Sequence, residues 1–171
     1  MQKDARGQLV TRILASAFAT VEPGMVVKKY LQENEIPLAQ HVYALGLGKA
    51  ACAMTEVLAG EIELTDTLII TKHASPLTIE PVSVIEGNHP IPGSASISAG
   101  LAALKFVSKL TPDDLLVCLI SGGGSALMAA PRVPLAGLQS LTSALLSCGA
   151  RIDEINILRR HLDSLKGGGL A

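Results

Sequence analysis

The chain has 171 residues, a formal net charge of -1 and 49% hydrophobic residues, the profile of one ordinary globular unit able to bury a sizeable core. Near-neutral charge, 2% aromatic residues and no Trp argue against a nucleic-acid binder, which calls for a basic patch interleaved with aromatics. The core must therefore be built from Ala, Leu, Ile and Val, and 16 glycines imply tight backbone turns.

The start, Met1-Gln2-Lys3-Asp4-Ala5-Arg6-Gly7, lacks the apolar stretch of a signal peptide. The longest apolar runs, such as Leu115 to Ile120, are too short to span a bilayer, so a cytoplasmic protein without a membrane partner is expected. From about Gln8 to Val21, the residues Leu9, Ile13, Leu14 and Phe18 recur at helical spacing, and Pro23-Gly24 separates this helix from a second amphipathic run ending near Asn34. Apolar strand candidates follow at Val42 to Leu45, Leu68 to Thr71, Val82 to Glu86 and Leu115 to Ile120. Helix candidates lie between and after them, at Lys49 to Leu58, Ser94 to Lys109, Leu135 to Cys148 and about Asp153 to Leu165. This alternation predicts an α/β fold with a mostly parallel sheet and helices on both faces. No repeat or linker divides residues 1–171, so they form one domain. The final Lys166-Gly167-Gly168-Gly169-Leu170-Ala171 is glycine-rich, and glycines usually mark a turn that something follows, so the fold is expected to continue beyond it. Cys52, Cys118 and Cys148 sit in apolar surroundings without metal-like spacing and read as buried small hydrophobes in a reducing compartment.

Three glycine-bearing segments lie at predicted carboxyl ends of strands, where parallel sheets place their ligands. Val42 to Ala51 reads as a strand, a glycine turn and a helix start, aiming free N–H groups at an anion, with Lys49 in the first helical turn; the alternative is a surface lysine after a tight turn. Its G-x-G-x-x-A pattern matches a dinucleotide turn, but Asp66 precedes the second strand instead of ending it, where Lys72 and His73 stand. It is not a Walker A loop either, because Ala50 replaces the required Ser or Thr. Ser121-Gly122-Gly123-Gly124-Ser125-Ala126-Leu127 follows the strand that reads as most buried and offers hydroxyls and successive N–H groups for an anion nest, or else a plain strand-to-helix turn. Leu127 breaks the G-x-S-x-G elbow, so a nucleophilic Ser125 is not expected. Gly87-Asn88-His89-Pro90-Ile91-Pro92-Gly93 is a stiff loop that either positions His89 or merely contains it. Asn156, Arg159, Arg160 and His161 share a helix followed by Lys166, suiting phosphate or carboxylate recognition or a solvated basic face. The four histidines are scattered, and no metal site is expected.

Taken together, Gly46-Leu47-Gly48-Lys49-Ala50, Gly87 to Pro92, Ser121 to Leu127 and Asn156 to Gly168 closely resemble, in order and spacing, the first domain of the glycerate 2-kinase family. This is the MOFRL-containing type, whose members are also labelled hydroxypyruvate reductase. The resemblance implies a Rossmann-like domain forming the incomplete N-terminal part of a larger two-domain fold, with the second (MOFRL) domain absent from these residues. It further implies transfer of the γ-phosphate of ATP, with Mg²⁺, to the 2-hydroxyl of D-glycerate, with homo-oligomerisation left open. Carried over residue by residue, it makes Lys49 and Arg160 catalytic and places phosphate on Gly46, Gly48, Ser121, Gly122, Gly123, Gly124, Ser125 and Lys166. His89 and Asn156 are then substrate-binding. Three residues depart from the family pattern: Gly93 replaces an acid, Gly169 replaces the arginine of K-G-G-R, and Asp163 replaces a serine, adding negative charge near the phosphate site. These departures, and the missing second domain, lead us to expect little or no turnover from this chain alone. The competing expectations are an NAD(P)H-dependent hydroxypyruvate reductase and a non-catalytic phosphate-ligand-binding module.

Overall fold

A computed structural model describes residues 2–170; Ala171, the last residue of the glycine-rich tail, lies outside the described residues. Two helices lead, α1 (Gln2–Thr20) and α2 (Pro23–Glu33). Pro23 opens α2 at a position where its missing N–H costs nothing, and the Glu22 carboxylate accepts from Met25 N–H at 2.8 Å. The apolar residues that define α1 in the sequence, Leu9, Ile13, Leu14 and Phe18, are all exposed. They mark the helix correctly without packing against this domain.

The remaining elements are β1 (His41–Leu47), α3 (Ala51–Glu61), β2 (Asp66–Thr71), β3 (Ser83–Glu86), α4 (Ser94–Val107), β4 (Asp114–Ile120), the single turn α5 (Gly124–Leu127), α6 (Leu135–Ser147) and α7 (Ile152–Leu162). Four strands form one sheet in the order β3-β2-β1-β4, and every pairing is parallel. Alternate residues of each central strand face opposite helical layers. Leu45, Leu47, Leu68 and Ile70 pack with Ala99, Ala103 and Phe106 of α4 on one face. Ala44 and Leu119 meet Leu58 of α3 and Val27 of α2 on the other, beside Ile69, which packs with Ala51 and Cys52.

Two expectations about burial are corrected. The fourth strand is not the most buried: β4 lies at the sheet edge with Cys118 and Ile120 exposed, while β2 holds the centre with Thr67 to Thr71 buried. Likewise only Cys52 is a buried small hydrophobe; Cys118, on the edge strand, and Cys148, at the end of α6, are exposed.

The strand order fixes where a ligand can enter. From β1 the chain moves through α3 to β2 on one side, and from β3 it returns through α4 to β4 on the other. The connections leaving β1 and β4 therefore run to opposite faces of the sheet, which makes the carboxyl ends of these two strands the general ligand position in open α/β sheets.

Candidate functional site

The register sets Leu47 of β1 beside Ile120 of β4, so the turn after β1 and the loop after β4 start side by side. Gly48 adopts φ +118°, and a Cβ there would run into the Ser121 side chain and carbonyl. Only glycine lets the two loops touch. Ser121 N–H donates to Leu47 O (2.8 Å), Lys49 N–H to Gly122 O (3.0 Å), Ala50 N–H to Ser121 Oγ (3.0 Å) and Gly48 N–H to Ile70 O (2.9 Å).

This network revises the reading of the first glycine turn. Its N–H groups are not free for an anion, since the serine loop and β2 accept them. Helix α3 begins at Ala51, so Lys49 stands in the preceding turn, not in the first helical turn. Gly46 lies within β1 beneath α3, where a Cβ would press on Thr55 and Ala51; it serves close helix-strand packing. The Ser121 hydroxyl is likewise committed, accepting from Ala50 and donating to Leu47 O (3.3 Å).

The free donors lie one loop over. Among the described residues, no protein acceptor takes the N–H of Gly122, Gly123, Gly124 or Ser125. Gly123 has φ +97°, and a Cβ on it would lie 3.3 Å from His89 Cδ2 and 3.4 Å from Lys49 Cε. The structure thus brings Lys49 and His89, 40 residues apart in sequence, onto the same glycine. Ser125 Oγ accepts from Arg159 Nη1 at 3.4 Å, attaching α7 to the loop.

Charge is concentrated here. Lys49, Lys72 and Arg159 make no salt bridge among the described residues. Burial pushes the His89 imidazole below its ordinary pKa, and the positive charges of Lys49, Lys72 and Arg159 push it further the same way. The shift favours the neutral imidazole, which stands among cations that an anion would satisfy.

Other expected residues lie around this centre in different ways. Asn156 is exposed on α7 and lines the hollows on both sides of Ser125. The stem of Arg160 lies over Gly167, and its side chain lines a hollow shared with Gly124 and Ser125. Lys166 is mostly buried, donating to Asp163 Oδ2 (2.6 Å) and Met128 O (3.0 Å); burial lowers its pKa and Asp163 works against that shift. Asp163 is 2% exposed and also accepts from Ala130 and Leu165 N–H. The negative charge expected near the phosphate site is thus bound inside the protein. Gly169 fits its tail closely, because a Cβ there would meet the Ser164 carbonyl. Gly93 precedes α4, where a Cβ would meet the Asn88 side chain.

Two of the converging cations were noticed in the sequence without being given a site role of their own, Lys72 at the end of the second strand and Arg159 within the basic helical run. Lys72 had a signal, following β2 directly at the carboxyl edge. Arg159 had one too: it lies four residues after the buried Ile155, on the inward face of α7. An apolar groove beside β4, lined by Val26, Tyr30, Leu31 and Leu115 to Leu119, lies along the strand and away from these groups.

Residues 9–171 match the family described as "Domain of unknown function (DUF4147)". The chain belongs to the DUF4147 family. This DUF4147 chain is 38% identical over 146 residues to glycerate 2-kinase of Pyrococcus horikoshii, covering 84% of this chain and 33% of that protein. It is 35% identical to D-glycerate 2-kinase of Thermotoga maritima, covering 96% and 40%. A protein named putative hydroxypyruvate reductase from Agrobacterium vitis is also 35% identical, covering 96% and 38%. In three dimensions the chain is similar to the crystal structure of a Thermotoga maritima glycerate kinase, with TM-score 0.87 and 32% identity over 97% of this chain and 41% of that one. It is also similar to a Pyrococcus horikoshii protein, with TM-score 0.84 and 33% identity over 95% and 40%. The DUF4147 chain thus spans between 33% and 40% of the length of these curated relatives. The resemblance to glycerate 2-kinases and the parallel α/β fold both stand.

Proposed function

We propose that this chain supplies the phosphate-gripping part of a glycerate 2-kinase, transferring the γ-phosphate of ATP to the 2-hydroxyl of D-glycerate. The observation that carries the reading is the meeting of Lys49, His89, Arg159 and the free N–H groups of Gly122 to Ser125 at the switch point of the sheet. The relatives' names supply the reaction class and the acceptor. In the reaction the bond from the γ-phosphorus to the β–γ bridging oxygen breaks, its electron pair leaving on ADP. A bond from the 2-hydroxyl oxygen to phosphorus forms, and the hydroxyl proton leaves to water.

A loose phosphoryl-transfer transition state needs positioning and charge neutralisation more than covalent help. The chain's own groups fit that need. Lys49 and Arg159 carry unneutralised charge on two sides of the loop, and the backbone between them supplies donors. The fit to the metal is different: among the described residues no group of three or more His, Cys, Asp or Glu forms a site for an ion. Mg²⁺ would enter with the phosphate oxygens of the nucleotide, in keeping with its preference for substrate and water ligands.

The same geometry counts against the dinucleotide reading. A Rossmann pyrophosphate site uses free N–H groups of the first strand-to-helix turn, and here they are taken. Asp66 is at the opposite end of β2 from the site, paired with Lys109 at 3.2 Å.

A coupled ADP-release assay on the intact gene product, with D-glycerate and MgATP, tests the proposal. Glycerate-dependent ADP release is expected, without NADH or NADPH oxidation on hydroxypyruvate. Absence of glycerate-dependent ADP at any protein concentration would sink it, and nicotinamide oxidation would replace it with the reductase. The 171-residue chain by itself is expected to bind MgATP without turnover. No single helix among the described residues is long and apolar enough to cross a membrane, and we place the activity in the cytoplasm.

A further inference from the structure

Two hollows open on either side of the contact between Ser125 and Arg159. One, of about 550 Å³, has Arg160, Lys166 and Gly124 in its wall. The other, of about 330 Å³, has His89, Gly123 and Ile155. Three residues line both, Ser125, Asn156 and Arg159, and Arg159 is the one cation among them. Arg159 is partly buried, and Ser125 Oγ is the one hydrogen-bond partner it has among the described residues. A guanidinium carries five N–H donors, so most of this one remains available. Arg160, by contrast, is exposed and lines only the larger hollow.

Phosphoryl transfer between two bound molecules requires one group to be reached from both. Resting on the kinase reading, we propose that Arg159, and not Arg160, grips the phosphoryl group as it passes between a polyphosphate in one hollow and a small hydroxy acid in the other. A planar fork engages two non-bridging oxygens of the phosphoryl group at once, and it keeps hold while phosphorus exchanges the leaving oxygen of the polyphosphate for the attacking hydroxyl oxygen. Lys49, reaching Gly123 from the β1 turn, faces the same loop from the other strand. Arg159 owes its position to Ile155, which is 4% exposed and fixes the rotation of α7. One residue later the side chain swings by about 100°, which is why Arg160 misses.

The probes are sodium tripolyphosphate and MgATP, titrated calorimetrically into the 171-residue chain and its Arg159→Gln, Arg160→Gln and Arg12→Gln variants. We expect Arg159→Gln to weaken tripolyphosphate at least tenfold, Arg160→Gln to do so several-fold less, and Arg12→Gln, on exposed α1, to change nothing. Arg159→Lys should restore only part of the loss, because an ammonium cannot fork. Circular dichroism checks the fold; if Arg159→Gln is unfolded, Ser125→Ala, which removes the anchor but no charge, should weaken tripolyphosphate by a few-fold. NMR titration of His89 gives an independent readout: Arg159→Gln should raise its midpoint in the free chain. A loss in Arg160→Gln equal to or larger than that in Arg159→Gln overturns the inference, as does failure of the unmodified chain to bind tripolyphosphate. In the intact gene product the two readings separate. Arg159-dependent binding without glycerate-dependent ADP keeps the inference and removes the kinase, whereas ADP release insensitive to Arg159→Gln keeps the kinase and removes the inference.

Discussion

Replacing Asp163 by alanine tests how the site is supported. Asp163 is almost fully buried and accepts from the Lys166 ammonium at 2.6 Å, from Leu165 N–H at 2.9 Å and from Ala130 N–H at 3.2 Å. Around it, Arg132 N–H donates to Leu162 O (2.8 Å) and Ser164 N–H to Ala130 O (2.9 Å), joining the end of α7 to the segment after α5. The Lys166 side chain is only 16% exposed, so removing the carboxylate strands an ammonium in a low-dielectric setting. Breaking one partner of a buried ion pair costs about 3–5 kcal/mol. For a domain of this size that loss lowers Tm by roughly 6–20 °C. Urea unfolding followed by circular dichroism measures the first quantity, and a thermal scan measures the second. Adding Lys166→Met to Asp163→Ala should recover only part of the loss, because the stranded charge is then gone while Leu165 and Ala130 N–H still lack their acceptor. Tripolyphosphate affinity should fall in the single variant, since α7 carries Arg159. A loss below about 1 kcal/mol, the scale of an exposed ion pair, would refute the reasoning and show that water already reaches Lys166.

Gly123→Ala should cost about 1–2 kcal/mol in strain, as φ +97° is a left-handed conformation that side chains resist. It should also weaken tripolyphosphate strongly, because the new methyl falls between His89 and Lys49; calorimetry on the folded variant checks this. The His89 titration midpoint, followed by NMR, should lie below the ordinary value of about 6.5 and rise when tripolyphosphate neutralises its cationic neighbours. Because its folded pKa is lowered, His89 contributes no penalty above the unfolded value. It costs stability as pH falls from about 6.5 towards the folded midpoint, so His89→Gln should flatten the pH dependence of urea unfolding in that window. Thiol labelling should modify Cys148 first, Cys118 more slowly because its sulfur, in an otherwise exposed residue, is partly buried and its pKa is pushed up, and Cys52 only in denaturant.

The elements were legible because their periods are unambiguous. Leu68 to Thr71 is a short β-branched and leucine run bounded by acidic and basic residues, and it lies inside β2. Every expected strand and helix is found, although α1 starts about six residues earlier than its apolar spacing suggests, and parallel pairing follows from the alternation except between β2 and β3, which are parallel with no helix between them. What periodicity could not supply is position across the sheet. An apolar run such as Leu115 to Ile120 looks the same at a centre or an edge, and only the pairing shows that β4 has a neighbour on one side. The burial of Cys118 was misjudged for that reason. Leu9, Ile13, Leu14 and Phe18 make the converse case: the helix is real, yet no element of this domain covers its apolar residues.

The site was legible as a set of loops, and its chemistry was misallocated within the set. Glycine turns after β1 and β4 both read as anion nests, since each supplies donors at a carboxyl edge. They cannot both be nests once Ser121 and Gly122 accept from Lys49 and Ala50. One loop is spent in holding the other, and the donors left over belong to Gly122 to Ser125. The same logic separates the basic residues. Lys166 and Arg160 match family positions, but the first is paired with Asp163 and the second is exposed and lines only the larger hollow, while Arg159 and Lys72, without a salt bridge among the described residues, stand close enough to act on His89. Sequence names the residues able to hold a phosphate, and the partners that each has already taken decide which of them are free to do it.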